Sequence, residues 1–185
     1  QKERLDSWLR QGYDGGLDYM IRNADGRIDP SALVENAATV IVCAVHYKNE
    51  AWDQTARGVS PKIASYSYAG DDHKTIKAML LRILKRLQEE YPGLNGRCFT
   101  DAVPMFEKAW AVEAGLGWIG KNSLRITPQH GSFVLLGEIV LDAPCYTYDV
   151  PFEGERCGNC SACIDMCPNG AIRSPKVLDA SRCIS

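Results

Sequence analysis

Residues 39–45 read Thr-Val-Ile-Val-Cys-Ala-Val, an apolar and β-branched stretch without polar alternation. It predicts a strand buried on both faces, with His46 and Tyr47 at its C-terminal end. Just upstream, the Asp29 cap and Pro30 predict a short helix over about 30–38. From 72 to 91 the period changes: Ile76, Leu80, Ile83, Leu84, Leu87 and Tyr91 recur at helical spacing, and Pro92-Gly93 stops the element. A strand near 97–101 follows, then a helix over about 105–114, opened by Pro104 and closed by Gly115. Asp101 thus falls where a strand gives way to a helix. Residues 123–126 and 132–141 predict further strands, and the Pro-, Tyr- and Glu-rich stretch 143–156 a linker. Alternating strands and helices predict an α/β (α+β) domain over residues 1–150, with helices packed on a mixed sheet.

Beyond the linker the periodicity gives way to cysteines. Cys157, Cys160, Cys163 and Cys167 are spaced C-x2-C-x2-C-x3-C with Pro168 directly after. This is the run that holds 4Fe-4S cubanes, three thiolates on one cluster and the fourth on its neighbour, so it implies two clusters and electron transfer. Zinc sites usually separate their C-x2-C pairs by a longer insert, and disulfides at this spacing would be strained, so both fit less well. Downstream only Cys183 remains, making five thiolates where two cubanes need eight. The expectation is a piece of a longer protein in which residues 151–185 begin a ferredoxin-like double-cluster domain.

Composition narrows the class. With 185 residues, 45% apolar and 24% charged, the chain can bury one core and carry a small appendage. It has no apolar run long enough to predict a membrane span. Cys43, Cys98 and Cys145 are read as buried or idle thiols, and with no leader-like run in sight they favour a reducing, cytoplasmic setting. A net charge of −2 excludes a global field that would gather nucleic acid, leaving only local basic groups. These are Lys74, Lys77, Arg82, Lys85 and Arg86 on the long helix, Lys108, Lys121 and Arg125 in the middle, and Arg173, Lys176 and Arg182 beside the cysteines. The stretch 115–122, Gly-Leu-Gly-Trp-Ile-Gly-Lys-Asn, approaches a P-loop. It follows a predicted helix and leads into a strand, the reverse of the required context, and Asn122 stands where a hydroxyl would bind magnesium.

Asp101-Ala-Val-Pro104 with Glu107-Lys108, the run 114–123, Gly131-Ser-Phe, Leu136-Gly-Glu138, the cysteine motif, Ala171-Ile172, Leu178-Asp179-Ala180 and Arg182-Cys183-Ile184-Ser185 together resemble the epoxyqueuosine reductase family. Ala64-Ser-Tyr66 and Asp72-His73-Lys74 also fit. The resemblance is most specific from Asp101 onward, and the family's second cysteine motif does not follow within these residues.

The resemblance implies base-off cobalamin held between the α/β domain and a double-cluster domain, reducing epoxyqueuosine to queuosine in a tRNA anticodon. It further implies an electron donor such as flavodoxin or ferredoxin. Cys157, Cys160 and Cys163 would hold one 4Fe-4S cluster, with Cys167 and Cys183 on a second. Asp101 matches the proton donor, and Arg27, Ala64, Asp101, Arg125, Leu136 and Ser185 match cofactor contacts. The chemistry agrees: removing an epoxide oxygen as water takes two electrons and two protons, hence an electron relay, a reducing centre and an acid. Asp101 fits the acid if its surroundings desolvate it; the alternative is a helix N-cap. No protein imidazole is needed on the cobalt, so His46, His73 and His130 receive no role. A corrinoid reductive dehalogenase shares the cofactor plan, whereas a plain ferredoxin-type carrier needs no large preceding domain.

Overall fold

The computed structural model of the protein describes residues 1–22, 24, 27–48, 64–68, 70–101 and 103–184. Two helices that no strong apolar stripe announces open it, α1 (Lys2–Arg10) and α2 (Asp18–Arg22). Helix α1 buries Leu5 and extends the Trp8 indole N–H to the Leu178 carbonyl at the far end of the chain. The helix predicted over 30–38 contracts to one 3-10 turn, Pro30–Ala32. The Asp29 carboxylate caps it by accepting the Ser31 N–H at 2.9 Å. Asn36 is in the left-handed region (φ 56°) and the Ala38 N–H is already bonded to Leu141 O, so the backbone has turned into the sheet.

Strand β1 (Thr39–His46) is followed by α3 (Asp72–Glu90), β2 (Gly96–Phe99), α4 (Glu107–Glu113), β3 (Trp118–Ile119), β4 (Arg125–Ile126) and β5 (Val134–Leu141). β5 lies between β1 and β2 and is antiparallel to both, with Thr39 opposite Leu141, His46 opposite Val134 and Phe99 opposite Glu138. Two expectations change here. The sheet among the described strands is antiparallel rather than mixed, because β5 occupies the place beside β1 that a β1-α3-β2 crossover would give to β2. The doubly covered strand is β5, buried from Gly137 to Leu141, while β1 is a half-exposed edge. An apolar run marks a strand but does not tell centre from edge.

Leu135, Ile139 and Leu141 pack against Ile76, Leu80 and Leu84 of α3. Burial of side chains such as Leu80 and Ile139 contributes about 1.5–3 kcal/mol each. Gly137 is required by that contact: a Cβ there would lie 2.7 Å from Ile76 Cγ2 and 2.9 Å from Leu80 Cδ1. On the opposite face Val140 and Phe99 meet Val34, Met105 and Trp110. By strand alternation Glu138 belongs to this second face, under α4. The helix expected from about 105 begins at Glu107, because Met105 is spent in the core beneath it. Strands β3 and β4 form a small hairpin that accounts for the glycine-rich stretch 115–122. A Cβ on Gly117 (φ 127°) would collide with the Ile126 carbonyl at 2.0 Å.

Residues 143–156 carry no helix or strand, as expected of a connection. The cysteine segment adds a single helical turn, α5 (Ala162–Asp165), and a hairpin of β6 (Ile172–Ser174) and β7 (Val177–Leu178). It is tied back at several points: Phe152 N–H donates to Val112 O, Lys176 N–H to Lys121 O and Ala180 N–H to Tyr13 O. The Phe152 ring stacks 5.7 Å from Trp118. No described helix is long and apolar enough to cross a membrane.

Candidate functional site

Where β2 ends, the chain makes a tight turn through Asp101, whose φ of 48° is left-handed, a conformation Asp tolerates better than most residues. The Asp101 N–H donates to Glu107 Oε1 at 2.8 Å, pinning that turn to the first turn of α4. Neither reading of Asp101 made from its neighbours holds. It does not cap α4, whose N-cap is Phe106. Nor is it desolvated, since its side chain is 82% exposed, with Oδ2 lying 3.7 Å from His73 Nε2. His73 is held in turn by Asp72, Oδ1 to Nδ1 3.2 Å, so a residue given no role from sequence stands beside the candidate acid.

Beneath this exposed aspartate the electrostatics become severe. Glu138 is completely buried, and neither carboxyl oxygen has a hydrogen-bond partner among the described residues. Burial, followed by repulsion from Glu107 and Asp101, pushes its carboxyl up to about 9, so it is protonated at neutral pH. Glu107 is also raised by burial, against the opposing pull of the Asp101 N–H. Burial pushes the Lys108 ammonium down; its Nζ donates to Ser123 O at 3.3 Å. Three carboxyl groups and a weakened ammonium therefore meet at one corner. Glu107, Lys108 and Ser123 also line a cavity of about 720 Å³ whose other walls include Trp8, Met105 and Lys176. The sequence signal for Glu138 is a lone charge inside the apolar run 134–141.

The remaining cofactor candidates are spread around this corner. Leu136 lies beside it, its carbonyl accepting from Thr100 Oγ1 at 3.4 Å. Arg27 is buried, stacks over Tyr19 and donates to Tyr19 O, while its backbone carbonyl receives Phe106 N–H at the entry to α4. Arg125 is 4% exposed; Nη1 reaches Leu116 O, but Nε and Nη2 have no acceptor among the described residues, and burial lowers its pKa. Ala64 is exposed at the start of the 3-10 turn Ser65–Tyr68, which Tyr66 joins to Tyr47 at the end of β1 through an edge-on ring contact. Ser185 lies outside the described residues. His46 and His130 stack on each other at 4.2 Å.

The cysteine loop is built differently. Cys160 N–H closes a turn on Cys157 O, and Cys163 rides on α5, where Ser161 Oγ bonds Asp165. Cys167 Sγ accepts Ala171 N–H at 3.3 Å, and backbone N–H groups of Ile172 and Ala171 hold its thiol below the ordinary range, an environment suited to a thiolate ligand. Asn169 Nδ2 donates to Arg182 O, drawing the Cys183 segment toward the Cys167 loop. Lys121 is the main strut from outside: its ammonium donates to Gly158 O at 2.6 Å and Cys160 O at 2.9 Å. Of the three basic residues nearby, Arg173 and Arg182 are exposed, whereas Lys176 is engaged in an ion pair with Glu155.

Comparison with known proteins supplies the family. Residues 27–102 match "Epoxyqueuosine reductase QueG, DUF1730" and residues 150–173 match "4Fe-4S binding domain". An epoxyqueuosine reductase of Cyclobacterium marinum is 42% identical over 98% of this chain and 58% of its own length. A crystal structure of epoxyqueuosine reductase with an epoxyqueuosine-modified tRNA-Tyr stem loop superposes with a TM-score of 0.80 at 27% identity, over 100% of this chain and 48% of the other. The Bacillus subtilis enzyme, with an aspartate-bearing catalytic loop swung out of the active site, gives 0.81 at 27% identity over the same shares. The chain spans about half the length of the relatives it matches. With that likeness running through both the carboxylate corner and the cysteine loop, the chain belongs to the epoxyqueuosine reductase family.

Proposed function

We propose that the protein carrying this chain reduces epoxyqueuosine to queuosine in a tRNA anticodon stem-loop, using cobalamin and electrons relayed through two 4Fe-4S clusters. The observation that carries the reading is the 42% identity along nearly the whole chain to an epoxyqueuosine reductase. Residues 1–150 act as the cobalamin-binding domain and 151–185 as the start of the ferredoxin-like domain. The electrons come from a cytoplasmic flavodoxin or ferredoxin.

The donors suit such a cofactor. Cobalamin presents amide carbonyls and a phosphate, and Arg125 and Arg27 offer buried nitrogens that have no partner among the described residues. Leu136, Ala64 and Ser185 contribute backbone. When bound, the corrin supplies the low-potential centre that side chains cannot provide. Cys157, Cys160 and Cys163 hold one cluster, and Cys167 and Cys183 begin the second. Asp101, exposed on a turn anchored by Glu107, supplies the proton that lets the epoxide oxygen leave. Its position outside the buried corner suits a loop that closes over substrate, as the swung-out loop of the Bacillus subtilis enzyme suggests. Lys and Arg contacts to phosphate, Arg173 and Arg182 among them, hold the stem-loop.

The test is anaerobic turnover by the full-length protein. An epoxyqueuosine stem-loop should lose one oxygen by mass spectrometry, the free nucleoside should react far more slowly, and iron should approach about eight per chain. Equal activity on nucleoside and stem-loop would sink the tRNA reading.

A further inference from the structure

Aromatic rings left in water forgo one of the largest gains a core can make. At one end of the sheet three of them stand together. Tyr47 follows the last residue of β1, Phe133 precedes the first of β5, and Tyr66 lies in the 3-10 turn ahead of α3. Tyr47 is half-buried and meets both of the others edge-on, Phe133 at 5.8 Å and Tyr66 at 6.2 Å between ring centroids. The outer two stay open, Tyr66 at 47% exposure and Phe133 at 36%. In an edge-on pair each ring covers at most one face of its partner, so Tyr47 leaves a face of Tyr66 uncovered. The Lys48 ammonium lies over Phe133, 5.1 Å from the ring centroid.

The backbone under these rings is fixed. Thr127 and Gly131 exchange both main-chain hydrogen bonds, Thr127 Oγ1 accepts the His130 N–H at 3.0 Å, and the Tyr47 N–H donates to Phe133 O at 3.2 Å. The rings also lie at the same end of the sheet as Asp101. Glu138 of β5 pairs with Val42 of β1 and Phe99 of β2, so the end of β1 and the turn after β2 leave the sheet on the same side, with β5 between them. That spacing is about 10 Å at ordinary strand separation. The head of α3 bridges it, with His73 beside Asp101 and Tyr66 in the turn before the helix.

Taking the tRNA substrate as proposed above, we infer that Tyr66, backed by Tyr47 and Phe133, is the platform on which one unpaired base of the anticodon loop stacks beside the modified nucleotide. Single-stranded RNA is held by splaying its bases onto aromatic rings, and a loop that delivers one base to an acid must have its neighbours unstacked and placed. Charge favours rings over phosphate contacts here. Asp71 and Asp72 at the head of α3 disfavour phosphate, and the Lys48 ammonium is drawn over a ring. Stacking works in such a field because every base has an uncharged face.

The test uses full-length holoenzyme and Tyr66→Leu, which keeps an apolar side chain and removes the ring. Anaerobic titration with a fluorescently labelled epoxyqueuosine stem-loop should show binding about tenfold weaker, within the range for one stacked base, while Tyr66→Phe binds as the wild type does. The slope of log affinity against log salt should stay the same, because no phosphate contact is lost. Phe133→Leu should weaken binding in the same direction. Stem-loops made abasic at each unpaired position in turn identify the base: at one of them the wild type should lose about tenfold and Tyr66→Leu nothing further. Unchanged affinity in Tyr66→Leu, a loss that adds to every abasic site, or a shallower salt slope overturns the inference. Unchanged affinity together with lost corrin absorbance would give the rings to the cofactor, and together with a lower melting temperature would give them to the core. If the wild type binds the stem-loop but does not reduce it, the functional reading fails instead, and the same affinities still report on the platform.

Discussion

The carboxylate corner and the cysteine loop solve opposite problems. At the corner, Asp101, Glu107 and Glu138 come from the end of β2, the first turn of α4 and the middle of β5, and the fold forces them together in a place where Glu138 is entirely buried. In the loop, four cysteines lie within eleven consecutive residues, half-exposed or exposed, and are organised by backbone hydrogen bonds and one lysine. The corner creates altered proton affinities by withholding partners; the loop creates ligands by supplying them. Acid chemistry needs a low dielectric that only tertiary packing makes, whereas a cluster brings its own charge and needs only thiolates in reach.

The sharpest way to break the comparison is at Asp101. In the full-length enzyme Asp101→Asn should slow reduction of the stem-loop by about two to four orders of magnitude, the usual reach of a general acid. Stability should change little, because Asn also tolerates the left-handed φ of 48° and the bond to Glu107 is made by the backbone N–H. Iron content should be unchanged. Lost stability with intact turnover would make Asp101 a turn residue only.

A smaller effect isolates burial. Below its ordinary value of 4.5 Glu138 is protonated whether the chain is folded or not, and its titration leaves stability unaffected. Between there and about 9 the unfolded chain has released the proton while the folded chain keeps it, so stability falls as pH rises, by about 1.4 kcal/mol per unit from this group alone. Glu138→Gln removes that slope. Melting temperatures of the two proteins should lie close together at pH 5 and separate by pH 8 with the variant higher. Parallel pH profiles would mean that Glu138 is charged in the fold.

The same contrast decides what was legible in the sequence. The cysteine spacing, the long helix and the strand 132–141 declare themselves within a few turns of chain, and the structure places α3 at Asp72–Glu90 and β5 at Val134–Leu141. Glu107 and Lys108 are visible as part of a family pattern, yet nothing local shows that their helix covers the face of β5 that carries Glu138. Strand order was equally hidden: β1 is more continuously apolar than most strands but sits at an edge, because β5 entered between it and β2. His73 reads as a helix residue until the fold brings it to Asp101. Pattern reports each segment's own preference; which segments meet is set by packing that no short window contains.

Lys121 joins the two regions and offers the finest test. In sequence it belongs to a stretch that approaches a P-loop, but its ammonium grips the carbonyls of Gly158 and Cys160, and its own carbonyl receives the Lys176 N–H. Lys121→Met in the full-length protein keeps the stem and deletes the charge. The carbonyls it frees are exposed and turn to water, so the loss in folding stability should be small, about 1 kcal/mol. The cluster should respond more clearly. A cation beside a negatively charged cluster favours its reduced form, and removing it at a partly solvated site should lower the reduction potential by on the order of 40 mV. Lys121→Arg should restore most of that shift, since it returns the charge with a different fork. Potentiometric titration followed by EPR reads this directly. A potential that stays put in Lys121→Met while the cluster is lost faster in air would assign the lysine to holding the loop's shape rather than to its electrostatics.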